Sequence, residues 1–121
     1  MLGAVGGRLD HTLQHLNIGL RHATRARLVF VSDHCFTEVL LANRRTTLHI
    51  DPELEGPACG LVPFSQSVRA TTRGLRWNLE PTAALELSWG GLLSTSNLVQ
   101  QGCTSVYIHA NHPVLWTIER R

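Results

Sequence analysis

The chain of 121 residues has no lysine; its eleven permanently basic side chains are all arginine. They are scattered, with Arg44-Arg45 and Arg120-Arg121 the only doublets, and the net charge is only +2. Nucleic-acid binders gather basic charge on one face, so no nucleic-acid partner is expected. An all-arginine set suits planar, forked recognition of phosphate or carboxylate. Long apolar runs are missing too, which argues against a membrane partner. No basic stretch followed by an apolar one opens the chain, so no secretory signal is expected. Cysteine is sparse: Cys35, Cys59 and Cys103 are odd in number and form no C-x-x-C pair. A disulfide framework is therefore not expected, the cytosol is the expected location, and each cysteine reads as a small buried apolar side chain.

What is present fits a folded domain. Hydrophobic residues make up 43% and charged residues 17%, a balance that a core-forming chain of this length has and a disordered one lacks. The opening reads as a strand end, a glycine turn and a helix to His22. Asp10 serves as the expected N-cap, and Leu13, Leu16, Leu20 and Ala23 form one apolar stripe. Ile18 falls off the stripe, so cover on more than one side is expected. Three buried leucines contribute roughly 1.5–3 kcal/mol each, comparable with the net stability of a whole domain, about 5–15 kcal/mol. A stripe of that value needs a sheet which these residues do not supply. The chain is therefore expected to be a C-terminal piece of a longer protein, an unusual isoform or an incomplete gene product.

After Arg25 the period changes. Leu28–Val31 reads as a buried strand. Further strand-like runs cover Phe36–Leu41, Thr46–Ile50, Cys59–Pro63, Val68–Thr72, Leu85–Leu87, Ser105–His109 and Val114–Ile118, with turn residues between them. The expected fold is mainly β: an antiparallel sandwich or jelly-roll-like domain over residues 34–121. Residues 1–33 are then a strand-turn-helix remnant of an α/β domain.

Three segments carry candidate chemistry. Gly6-Gly7-Arg8-Leu9-Asp10-His11 is a glycine turn opening a helix, where a backbone and an arginine can receive phosphate; it equally reads as an ordinary turn with Asp10 as cap. Gly74-Leu75-Arg76-Trp77-Asn78-Leu79 offers an indole face beside polar side chains, suited to a flat cationic ring; it equally reads as a core tryptophan. Ser94-Thr95-Ser96-Asn97 follows two glycines. Strand alternation puts Ser94 and Ser96 on one face, so Ser94, Ser96 and Asn97 are candidates to read a ring edge, or a polar strand end. His11 and His15 stand four apart, but without the intervening Glu and a third ligand no metal site is expected.

Together these segments, with Glu55-Gly56-Pro57 through Pro63 and Asn111-His112-Pro113 through Thr117, resemble thiamine pyrophosphokinase along the whole chain. The likeness covers only the C-terminal portion of that family. It implies transfer of diphosphate from ATP to thiamine, giving thiamine diphosphate and AMP. Arg8, with Gly6 and Gly7, would serve the phosphates and Asp10 the acceptor hydroxyl or a metal-bound water. Trp77 would stack on the thiamine ring, with Ser94, Ser96 and Asn97 at its edge. The resemblance also implies ATP as co-substrate, Mg2+, and a homodimer, or pairing with a full-length subunit, with the thiamine pocket between subunits. The acidic metal ligands of the family's upstream half are absent here, so a non-catalytic thiamine-binding and dimerisation module is the alternative. The stretch from Glu80 to Trp89 is longer than usual for the family.

Overall fold

The computed structural model describes residues 2–3 and 5–121. The parts of the expected opening strand that fall on Met1 and Ala4 lie outside the described residues. A helix, α1 (Leu9–His22), is followed by β1 (Val29–Val31), β2 (Cys35–Leu40), β3 (Thr46–His49), β4 (Glu55–Pro63), β5 (Ala70–Arg73), β6 (Ser94–Leu98), β7 (Ser105–Ala110) and β8 (Val114–Arg120). These strands form two antiparallel sheets, one in the order β1-β2-β8-β4-β6 and the other β3-β7-β5. The mainly β, antiparallel expectation therefore holds.

The strands exist because their apolar residues alternate. In β8, Val114, Trp116 and Ile118 are buried, while Leu115 and Thr117 are only partly so. In β7 the same period buries Val106, Ile108 and Ala110. These faces meet in one cluster with Leu48, Leu61, Val68 and Leu87. Trp116, at 3% exposure, is a core residue. Fully burying side chains of this kind contributes roughly 1.5–3 kcal/mol each.

Some local expectations fail for physical reasons. Asp10 is not the N-cap; that position belongs to Arg8, in extended conformation and without a side-chain cap bond. Thr12 Oγ1 accepts from Gly6 N at 3.1 Å and donates to Gly6 O at 3.2 Å, so the glycine turn is tied to the first helical turn and the helix starts early. Leu85–Leu87 is no strand: a 3-10 turn covers Ala83–Leu85, and only Leu87 pairs, with Val68 and Leu92. Gly19 is the one buried residue of α1, and a Cβ there would stand 2.7 Å from the Phe30 ring. The helix thus rests on the sheet through the position with no side chain, while Leu13 remains 56% exposed. Leu2 pairs in parallel with Val31, and β1 pairs with β2 across residues 33 and 34.

Candidate functional site

The Trp77 loop is built by β5 and its return. β5 ends at Arg73 and is followed by Gly74, whose φ of +93° favours glycine; a Cβ there would collide with the Ser105 carbonyl oxygen. The chain then turns back on Thr72, which is fully buried. Thr72 N donates to Leu79 O at 3.0 Å, and Leu79 N donates to Thr72 Oγ1 at 2.8 Å. Thr72 Oγ1 in turn donates to Asn78 Oδ1 at 3.1 Å, and that oxygen also accepts from Leu75 N. The result is a closed loop with Trp77, 54% exposed, near its tip. The Arg76 guanidinium lies over the indole, 4.8 Å from the ring centroid, so a cation already stands over the ring.

The serine-asparagine segment reaches the same loop. Arg76 N donates to Leu98 O at 2.8 Å, and Gln100 N donates to Gly74 O at 2.8 Å. Asn97, only 4% exposed, closes the junction. Its Oδ1 accepts from Trp77 N at 3.3 Å and from Leu98 N at 2.8 Å. Its Nδ2 donates to Trp77 O at 2.9 Å and to Ser94 Oγ at 3.2 Å. An amide side chain has two donors and one acceptor oxygen with two lone pairs, so these bonds use its full capacity. The side chain of Asn97 holds the main chain of Trp77 from both sides.

Simple alternation would not have given this clamp. On β4 and β6, Cys59 pairs with Asn97 and Leu61 with Ser94, so Gly60 faces two residues, Thr95 and Ser96. This is a β-bulge. Ser96 takes a positive φ of 55° and is exposed. The extra residue shifts the phase, so Ser94 pairs in hydrogen bonding with Asn97 and not with Ser96 as alternation required. Gly60 permits the bulge, because a Cβ there would lie 3.0 Å from Ser94 O. The sequence contained the signal: a glycine on the partner strand opposite a run of small polar residues.

Arg8 and Asp10 sit elsewhere, at the start of α1. Arg8 Nε donates to Asp10 Oδ1 at 3.1 Å and the guanidinium donates to Oδ2 at 2.7 Å, with both side chains exposed. Gly6 and Gly7 have positive φ and open space around them. Their cavity, about 540 Å³, is lined also by Val31, His34 and Arg120, and not by Trp77, Ser94 or Asn97. The Trp77 ring lies at the surface of the chain. Sequence reasoning passed over Thr72 and Asn78 as the loop's internal scaffold. It also passed over Trp89, whose Nε1 donates to Pro63 O at 3.0 Å while its ring stays exposed.

Burial pushes the Cys59 thiol up to about 12, so beside the clamp it is an apolar spacer and no nucleophile. At Cys35 burial also pushes upward, but hydrogen bonds from Ser32, Thr37 and Thr117 outweigh it and lower the thiol's pKa. Among the described residues no three His, Cys, Asp or Glu side chains could share a metal ion. Both oxygens of Asp10 are taken up by Arg8. These residues do not by themselves fit a magnesium site.

The family model described as "Thiamin pyrophosphokinase, vitamin B1 binding domain" matches residues 45–115, the stretch that carries the loop, the bulge and the clamp. The chain belongs to the thiamine pyrophosphokinase family. Thiamine pyrophosphokinase 3 of Oryza sativa subsp. japonica is 40% identical over 99% of this chain and 44% of its own length. Thiamine pyrophosphokinase 1 of Arabidopsis thaliana is 42% identical over 96% of this chain and 42% of its own. The chain thus spans less than half the length of these thiamine pyrophosphokinases. The solved thiamin pyrophosphokinase from Geobacillus thermodenitrificans superposes with a TM-score of 0.78 at 26% identity, over 99% of this chain and 52% of that one. That from Candida albicans gives 0.84 at 20% identity over 99% and 44%, and speaks for the fold alone.

Proposed function

We propose that this chain is the thiamine-binding part of a thiamine diphosphokinase, which moves diphosphate from ATP to thiamine and releases thiamine diphosphate and AMP. The observation that carries the reading is the Asn97 clamp, which fixes an exposed indole beside a hydroxyl. Trp77 receives the thiazolium or aminopyrimidine face. Arg76 already lies over the ring, so the ligand takes the other face of the indole or displaces it. Ser94 and the exposed Ser96 bond the ring edge. Asn97, with its bonding capacity used inside the protein, belongs to the site by positioning Trp77 and Ser94.

Arg8, with the amides of Gly6 and Gly7, serves the phosphates, and Asp10 the acceptor hydroxyl. In the reaction the hydroxyethyl oxygen of thiamine attacks the β-phosphorus of ATP, the bond to the α-phosphate oxygen breaks, and AMP leaves. Asp10 takes the hydroxyl proton once the incoming phosphates draw Arg8 away from it. Residues 1–33 act here as the end of a nucleotide-binding domain and residues 34–121 as the thiamine-binding sandwich. The exposed ring of Trp77 favours completion by a second subunit, either another copy or a full-length partner. The cytosol is the proposed location.

The second reading, a thiamine-binding and dimerisation module without catalysis, draws support from the lack of fit to magnesium. Two measurements separate the readings. Thiamine is titrated into the purified chain by calorimetry, and AMP release is followed with MgATP and thiamine. Heat of binding with AMP release supports the enzyme, and binding alone supports the module. No binding, by the chain alone or mixed with a full-length relative, contradicts both.

A further inference from the structure

A second cavity, of about 490 Å³, lies where the segment after α1 crosses over β2 and β3. Its volume falls within the range of small-ligand sites, about 300–1,000 Å³. Its polar lining includes Arg25, Arg27, Arg44 and Thr47, against a single carboxylate, Glu38. That carboxylate is already neutralised: Arg27 Nε and an amino group of its guanidinium donate to it at 2.8 and 2.9 Å. Arg25 and Arg44, both exposed, have no carboxylate partner among the described residues. Two of the arginines that line the cavity are therefore without a compensating carboxylate.

Main-chain groups add to this. Among the described residues β3 is an outer strand, paired only with β7. Ile50 N donates to Thr104 O, which fixes the phase. In an antiparallel pair both main-chain groups of a residue point to the same side. Leu48 and Thr46 thus bond towards β7, while Thr47 and His49 turn their N–H and C=O groups away from it. Leu28, Val39 and Leu48 supply an apolar portion of the same wall.

We infer that this cavity binds a small organic phosphate, its dianionic head on Arg25 and Arg44 and the amides of Thr47 and His49, and its apolar body against Leu28, Val39 and Leu48. Forked guanidinium groups match phosphate oxygens in pairs. The inference is independent of the thiamine reading, since none of these residues belongs to the Trp77 site.

The test is an amide chemical-shift titration of the whole chain with phenyl phosphate and, separately, with inorganic phosphate. Phenyl phosphate is expected to move the amides of Thr47 and His49 and to bind more tightly than inorganic phosphate. Arg25→Ala and Arg44→Ala are each expected to weaken it roughly ten-fold or more, the loss of one charge-assisted contact. Both positions are exposed, so an unchanged spectrum of the free variants reports an intact fold. Shifts confined to Gly6, Gly7 and Arg8, wild-type affinity in both variants, equal affinity for the two probes, or no shifts at all would each overturn the inference.

Discussion

Replacing Asn97 with alanine removes four hydrogen bonds at once, to Trp77 N, Trp77 O, Leu98 N and Ser94 Oγ. A single bond of this kind contributes about 0.5–1.5 kcal/mol net, and buried groups left without partners cost more. Water reaches the loop beside the exposed Trp77 and replaces some of what is lost. A destabilisation of about 3 kcal/mol is therefore expected. With an unfolding entropy of about 0.25 kcal/mol/K for a chain of this length, the melting temperature falls by about 12 °C. Calorimetric melting reads this directly. Asn97→Asp sharpens the argument, because it keeps the shape and loses both N–H donors. A carboxylate then faces the Trp77 carbonyl and has no proton to give. If Asn97 acts by clamping, Asp melts at least as low as Ala and binds thiamine no better. A melting temperature within about 2 °C of wild type for Asn97→Ala, or tighter thiamine binding by Asn97→Asp, would refute the clamp.

Other consequences concern the glycines and cysteines. Gly60→Ala presses a Cβ against Ser94 O at 3.0 Å; a loss of about 1–2 kcal/mol, with shifts at Ser94 and Asn97 by NMR, is expected. Gly74→Ala places a side chain at φ +93° and against the Ser105 carbonyl, so a larger loss, about 2–4 kcal/mol, is expected in denaturant melts. Cys59 has a folded pKa raised from 9.0 to about 12. Its contribution is complete below the unfolded value and is lost as pH rises towards the folded one, by about 1.4 kcal/mol per pH unit. Cys59→Ala should flatten this alkaline slope in urea melts between the two values. Cys35, with its pKa lowered, should react with a thiol reagent at mildly alkaline pH well before Cys59; equal rates would contradict the environments described.

Much of the fold was readable in the residues, because sandwich strands bury every second side chain and the turns between them carry Gly, Pro and Asn. Val114, Trp116 and Ile118 illustrate this, as does the β7–β8 connection at Asn111-His112-Pro113. What escaped depended on partners distant in sequence. The bulge at Thr95-Ser96 is set by Gly60 on another strand, so local alternation grouped Ser94 with Ser96 when the structure groups it with Asn97. Asp10 has the chemistry of a cap, but the tie between Thr12 and Gly6 moves the helix start to Arg8. Leu85–Leu87 has strand-like composition, yet the chain closes there into a 3-10 turn, and Leu87 alone bridges, to Val68 and Leu92. The resemblance marked out Trp77 and Asn97; the division of labour between them, one exposed and one fully bonded, emerges only from the hydrogen-bond geometry.

The central claim is that Trp77, held by Asn97, presents the face on which thiamine stacks. Its most direct test is the calorimetric titration of thiamine into the wild-type chain and into Trp77→Ala. The account predicts measurable binding by the former, a loss of at least about ten-fold in the latter, and an unchanged melting temperature, because the indole is largely outside the core. Equal affinity in the two proteins would contradict it.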